Sequence, residues 1–133
     1  MGSMRRALVA LVLLASCSPS QEDPVAQKDP YKDKLSAEQY RVLREKGTEA
    51  PFSGQYNKFF KTGDYRCAAC AQVIFSSVTK FDTDCGWPSF SEALPGSTKL
   101  ASESGGPEVM CAKCGSHLGH LFDDGPTPSR NRY

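Results

Sequence analysis

The sequence is poor in the features that announce most functions. Sixteen Lys and Arg stand against fifteen Asp and Glu, a formal charge of +1. That leaves none of the basic surplus on which nucleic-acid binding relies, and no nucleic-acid partner is expected. No apolar run approaches the roughly 20 residues that cross a bilayer; the longest, Ala7 to Ala15, has nine. Histidine occurs twice and tryptophan once. Nine prolines and eleven glycines interrupt 133 residues, which argues against long helices and for short strands and turns. A chain of this length makes one modest domain, and domains of this size often supplement a limited core with a metal or disulfides.

What is present begins with a leader-like segment. Arg5 and Arg6, the nine-residue apolar run and the tetrad Leu14-Ala15-Ser16-Cys17 have the layout of an export signal. The tetrad resembles a bacterial lipobox, in which small residues precede a cut and a thiol carries the lipid. The expectation is a signal over 1–17 with Cys17 as a membrane anchor; a plain secretory signal with a stray cysteine is the alternative. Residues 18–34 hold three prolines among polar residues, the composition of a disordered tether. The domain is then 35–133, placed in the bacterial cell envelope on the periplasmic side.

Within the domain, Leu35 to Gly47 reads as the one helix. Ser36 is its N-cap, Gln39 completes a capping box, Leu35 and Tyr40 form a hydrophobic staple, and Gly47 is the stop. Runs at 72–76, 78–81, 108–111 and 118–122 are strand-like, separated by Gly, Pro and Ser clusters.

Five cysteines fall in this domain. Cys67 and Cys70 form one Cys-x-x-Cys pair and Cys111 and Cys114 another, while Cys85 is alone. Each pair can present two thiolates on one side of a tight turn, and two turns can complete the tetrahedron of a structural Zn(II) site. Gly115 suits such a knuckle, and a clip between distant segments stabilises where loop closure costs most. Two disulfides, or a redox-active dithiol, are the competing readings. Cys85 lies in Phe81-Asp82-Thr83-Asp84-Cys85-Gly86-Trp87-Pro88-Ser89-Phe90, whose acids, glycine and proline suggest an exposed loop. Trp87 offers a rigid apolar wall for a methyl or thioether group, although a single Trp is more often core. Both histidines, His117 and His120, fall in one short stretch. Surface or core roles, or a His-Cys metal site, are the bland readings.

Taken in order, Cys-Gly-Trp-Pro-Ser-Phe at 85–90, the two Cys-x-x-Cys pairs, Gly-Ser-His-Leu-Gly-His-x-Phe at 115–122, Asp-Gly-Pro-x-Pro at 124–128 and Arg132-Tyr133 resemble the methionine-R-sulfoxide reductase family. The segments 45–49 and 78–82 are similar to it as well, so the resemblance runs over about 35 to 133. It implies a mainly β fold of two antiparallel sheets with a short N-terminal helix and a zinc clip. Cys67, Cys70, Cys111 and Cys114 match the family's zinc ligands, remote from the active site. Cys85 matches a resolving thiol. Trp87 matches the wall around the substrate methyl, with Phe122 at its edge. His117, His120 and Arg132 match groups that bind or protonate the sulfoxide oxygen, with Asp124 close by. The implied reaction is attack of a thiolate on the sulfoxide sulfur, release of methionine and condensation of the sulfenic acid with a second thiol. Oxidised proteins are the implied substrate, a thioredoxin-like protein the implied reductant, and a monomer the expected state.

The sequence also departs from that pattern. In the family, Arg-Tyr is followed at once by the nucleophilic cysteine and an Asn-containing strand, whereas Tyr133 is the last residue here. The expectation is a fragment whose site lacks its attacking thiol and so does not support the standard mechanism as given. Residues 97–110 look shorter than the family's corresponding strand pair, and Ser129-Arg130-Asn131 replaces a Thr-Gly turn. The competing function is a non-catalytic zinc-binding interaction module on the same scaffold. A zinc ribbon for nucleic acid would need a basic patch, and a thioredoxin-like enzyme would need its Cys-x-x-Cys to open a helix.

Overall fold

A computed structural model describes residues 28–133; the expected signal, Cys17 and most of the expected tether lie outside the described residues. The described part of that tether is folded against the domain. Asp29 accepts from Tyr31 N–H and from Arg44 Nε at 2.6 Å, and Arg44 lies over the Tyr31 ring. An ordered turn therefore precedes Leu35, and the packed chain begins earlier than composition suggests.

Helix α1, Ala37–Glu45, starts where the capping box requires. Ser36 Oγ accepts from Gln39 N–H, and Gln39 Oε1 accepts from Ser36 N–H. Its end differs by one residue from the expected glycine stop. Lys46 takes the left-handed position (φ 56°), and Gly47 N–H then bonds Arg41 O at 2.8 Å. The helix packs on β7 and buries Leu43.

The rest is short antiparallel strands, in the mainly β architecture expected. β1 (Asp64–Arg66) pairs with β2 (Val73–Ser76), and β3 (Lys80–Phe81) pairs with β4 (Ser89–Phe90). β5 (Thr98–Ala101), β6 (Glu108–Cys111) and β7 (His117–His120) form a three-stranded sheet with β6 central. A 3-10 turn, Ser77–Thr79, interrupts the run that reads as one strand over 78–81. The β5–β6 pairing places Thr98 opposite Cys111 and Ala101 opposite Glu108.

Two clusters hold these pieces together. One is apolar and built around sulfur: Leu43, Cys67, Ile74 and Cys111 are buried, with Cys70, Cys114 and Leu118 packed on them. The other is aromatic. Phe75 stacks on Phe90 at 4.3 Å, and Tyr65 meets Phe90 edge-on at 4.8 Å. Such pairs add about 0.5–1.5 kcal/mol each beyond their buried area. Among the described residues no helix is long and apolar enough to cross a membrane.

Candidate functional site

The two Cys-x-x-Cys turns have the same backbone. In the first, Ala71 is left-handed (φ 62°), Ala71 N–H bonds Cys67 O, and Cys67 N–H bonds Gln72 O. In the second, Gly115 is left-handed (φ 71°), Gly115 N–H bonds Cys111 O, and Cys111 N–H bonds Ser116 O. Each turn aims two sulfurs inward, and all four lie within 4.8 Å of one another. Cys67 and Cys114 are 3.7 Å apart and Cys70 and Cys111 3.6 Å apart, so these cysteines are free thiols rather than disulfides. Burial pushes the Cys67 thiol up to about 12. For Cys114 burial acts in the same direction but is outweighed by hydrogen bonds from Ser116, which bring it down to about 7. A cluster of four thiols with such opposed demands is suited to a metal cation, which holds all four as thiolates.

None of these four cysteines lines the main cleft. That cleft, about 510 Å³, opens between the aromatic cluster and β7. Cys85, Trp87, His117, His120, Phe122 and Arg132 all line it, from three separate stretches of chain. Asp124 does not line the cleft and reaches it through Arg132.

The Cys85 loop is fixed by its neighbours. Gly86 is left-handed (φ 93°), its carbonyl accepts from Phe52 N–H at 2.7 Å, and a Cβ there would lie 2.7 Å from Pro51 Cβ. Only glycine fits that approach. Trp87 Nε1 donates to Glu49 O at 3.1 Å, which pins the indole as a wall of the cleft. Cys85 Sγ lies 3.0 Å from Thr83 Oγ1 and 3.5 Å from Ser89 Oγ. Burial alone would raise the Cys85 pKa. Hydrogen bonds from Thr83 and Ser89, the Trp87 backbone and the positive Arg132 outweigh it and hold the thiol below its ordinary range.

Arg132 is itself held. Its Nε and one terminal nitrogen donate to the two oxygens of Asp124 at 2.7 and 2.9 Å, and its guanidinium lies 4.3 Å from the Phe122 ring centroid. The Arg132 side chain beside it keeps the Asp124 carboxyl below the usual carboxylate range. Backbone pairing seats the segment: Arg132 exchanges both bonds with Phe122, and Tyr133 exchanges both with Phe90.

The two histidines share a face because of a β-bulge. Residues three apart on a regular strand point to opposite faces. The β6–β7 register shifts between Val109 and Met110, so that Val109 opposes Gly119 while Met110 opposes His117. That extra residue re-aims the strand, and the two imidazoles meet at 5.4 Å. His117 is buried, and its Nδ1 is 2.8 Å from Glu108 Oε1.

Sequence reasoning missed Thr83, Ser89, Glu49, Lys46, Glu103 and Glu108. Thr83 and Ser89 flank Cys85 in its own loop, whereas Glu49, Lys46, Glu103 and Glu108 act on a named residue from a distance in sequence. Only Glu108 left a trace, a carboxylate within an otherwise apolar strand.

Residues 35–133 match the SelR domain family. The chain is similar to a chloroplastic "peptide methionine sulfoxide reductase B2" of Arabidopsis thaliana, 42% identical over 98% of this chain and 67% of the relative. It is similar to the "methionine-R-sulfoxide reductase B1" of Drosophila melanogaster, 41% identical over 90% of this chain and 65% of the relative. A "peptide methionine sulfoxide reductase MsrB" of Methanosarcina mazei is 49% identical over 80% of this chain and 79% of its own length.

Proposed function

Because the chain belongs to the SelR-domain family of methionine-R-sulfoxide reductases, we propose that its cleft binds methionine-R-sulfoxide in oxidised proteins and is built to reduce it. The observation that carries this reading is the convergence of a lowered-pKa thiol, an indole wall, two imidazoles and a guanidinium on one cleft. The indole and Phe122 offer the apolar surface a thioether methyl needs. Arg132, together with His117 and His120 in their protonated forms, supplies the hydrogen-bond donors for a sulfoxide oxygen.

The reaction needs two thiols. A thiolate attacks the sulfoxide sulfur, the oxygen takes one proton from a donor, its bond to the methionine sulfur breaks as it passes as hydroxyl to the attacking sulfur, and methionine leaves with that sulfur oxidised to a sulfenic acid. A second thiol condenses with that sulfenic acid, releasing water and forming a disulfide, which an external dithiol of thioredoxin type then reduces. Cys85 suits the second role, since its neighbours favour the thiolate. In the family pattern the attacking cysteine directly follows the Arg-Tyr pair. Here that pair is seated by its backbone on Phe122 and Phe90, with the Arg132 guanidinium close enough to Cys85 to lower its pKa.

The metal clip is read as one structural Zn(II). A tetrahedral ion with Zn–S of about 2.3 Å sets its sulfurs about 3.8 Å apart, close to the 3.6 and 3.7 Å found between cross-turn pairs. Its chemistry is charge neutralisation of four thiolates. A lipid anchor on Cys17 and a periplasmic, monomeric existence belong to this reading too, resting on the leader-like segment and on composition.

The test joins the intact mass of the natively expressed protein to dithiothreitol-driven turnover of peptide-bound methionine sulfoxide, R and S epimers separately. R-selective turnover by a chain carrying a further cysteine after Tyr133 is the expected result. No turnover by a chain ending at Tyr133 would leave the second reading, a zinc-binding module, which the complete four-cysteine cluster favours.

A further inference from the structure

The Lys46 ammonium bridges two carboxylates, with Glu108 Oε2 at 2.7 Å and Glu103 Oε1 at 2.8 Å. Each carboxylate turns its other oxygen to an imidazole: Glu108 Oε1 lies 2.8 Å from His117 Nδ1, and Glu103 Oε2 lies 3.4 Å from His120 Nε2. The five side chains form one unbroken chain, His117–Glu108–Lys46–Glu103–His120, drawn from the end of α1, the β5–β6 turn, β6 and β7.

We infer that Lys46, Glu108 and Glu103 are positioning residues that fix the two histidines in opposite tautomers, so that His117 offers Nε2 and His120 offers Nδ1 to the cleft. This rests on the reading of the cleft as a sulfoxide site. A carboxylate accepts from the ring nitrogen it faces, and a neutral imidazole carries a single proton. Glu108 therefore places that proton on Nδ1 of His117, and Glu103 places it on Nε2 of His120. The remaining nitrogens differ in kind along the two rings, which meet edge-on at 5.4 Å and 65°. In the neutral rings these free nitrogens are acceptors, and each becomes a donor to a sulfoxide oxygen only on taking up a second proton, which it can then pass to that oxygen.

Glu108 is 1% exposed, and an unpaired carboxylate there would be costly to bury. Its partners are a cation on one oxygen and the His117 imidazole on the other, so the His117 ring cannot turn without leaving a buried carboxylate oxygen unpaired. Lys46 couples both rings through one ammonium. Its left-handed conformation at the helix end carries the side chain away from the helix towards the β5–β6 turn. The short turn between β5 and β6 delivers Glu103 to the same ammonium.

The experiment is imidazole 15N NMR on histidine-labelled, metal-loaded protein with both rings neutral. Wild type should show one tautomer per ring, protonated at Nδ1 for His117 and at Nε2 for His120. Lys46→Met should lose that discrimination, with both rings moving towards averaged shifts, and Lys46→Arg should restore it. Glu108→Gln should move His117 alone if it folds; Lys46→Met keeps the test valid if it does not. Unchanged ring shifts in Lys46→Met, or averaged rings in wild type, would overturn the inference. Trp87 fluorescence against N-acetyl-methionine-R-sulfoxide amide is read in parallel. Ordered tautomers without a Trp87 response leave the network standing and overturn the sulfoxide reading instead.

Discussion

Two small hydroxyl residues that share its loop help hold the Cys85 thiol below its ordinary pKa. Thr83 and Ser89 also contact each other at 3.1 Å, so they form a fixed cradle for sulfur. One such hydrogen bond to the charged sulfur is worth about 1 kcal/mol. Thr83→Val should therefore raise the Cys85 pKa and slow its alkylation by iodoacetamide near neutral pH about fivefold. An unchanged rate–pH curve would remove Thr83 from this role. A second residue-scale expectation concerns Ala71, which adopts the left-handed conformation that its counterpart Gly115 adopts freely. That costs an L-residue about 1–2 kcal/mol, partly offset by the extra chain entropy of glycine. Ala71→Gly should raise stability by about 0.5–1 kcal/mol in urea unfolding; a loss would mean that the Ala71 methyl is packed more usefully than its φ suggests.

At the scale of elements, the capped helix, the two cysteine turns and β6 were legible because each carries a local signature. β1 and β4 were not, since two or three residues give no alternation to read. The helix stop moved from Gly47 to Lys46 because ion pairs from β6 and the β5–β6 turn outweigh the local preference for glycine in the left-handed position. The bulge that unites His117 and His120 was likewise invisible, being a property of register and not of composition. The candidate site residues were named through a family pattern; of the groups that hold them, Lys46, Glu49, Glu103 and Glu108 lie far off in sequence, while Thr83 and Ser89 stand in the Cys85 loop with no signature of their own. The Lys46 junction also makes a pH prediction. Lys46, and then His120, pull the Glu103 carboxyl down to about 2 from an ordinary 4.5. A carboxylate with a depressed folded-state pKa stabilises the fold above its unfolded pKa, and that contribution is lost as pH falls towards the folded value. Wild type should exceed Glu103→Gln in urea midpoint at pH 6, and the gap should close between about pH 4.5 and 2. A gap constant across that window would show that Glu103 acts through packing.

For the whole molecule the four-cysteine cluster dominates. It joins the β1–β2 turn to the β6–β7 turn and occupies the centre of the apolar cluster. Structural zinc contributes about 10–16 kcal/mol in small domains, comparable with the entire stability of a typical fold. Stoichiometric removal by chelator should abolish the cooperative unfolding transition, with one ion released per chain in a colorimetric assay. A denaturation midpoint insensitive to chelator would show that aromatic packing suffices.

The matched backbones of the two cysteine turns have a consequence in time as well as in space. Cys67 and Cys114 are 47 positions apart, so during synthesis the first turn emerges well before the second exists. Half a clip offers two thiolates and binds an ion only loosely. Tight capture waits for the second turn, and with it for most of the domain. An ion bound there would act as a checkpoint late in maturation, reached only by a chain that has already brought its β1–β2 and β5–β6–β7 sheets together.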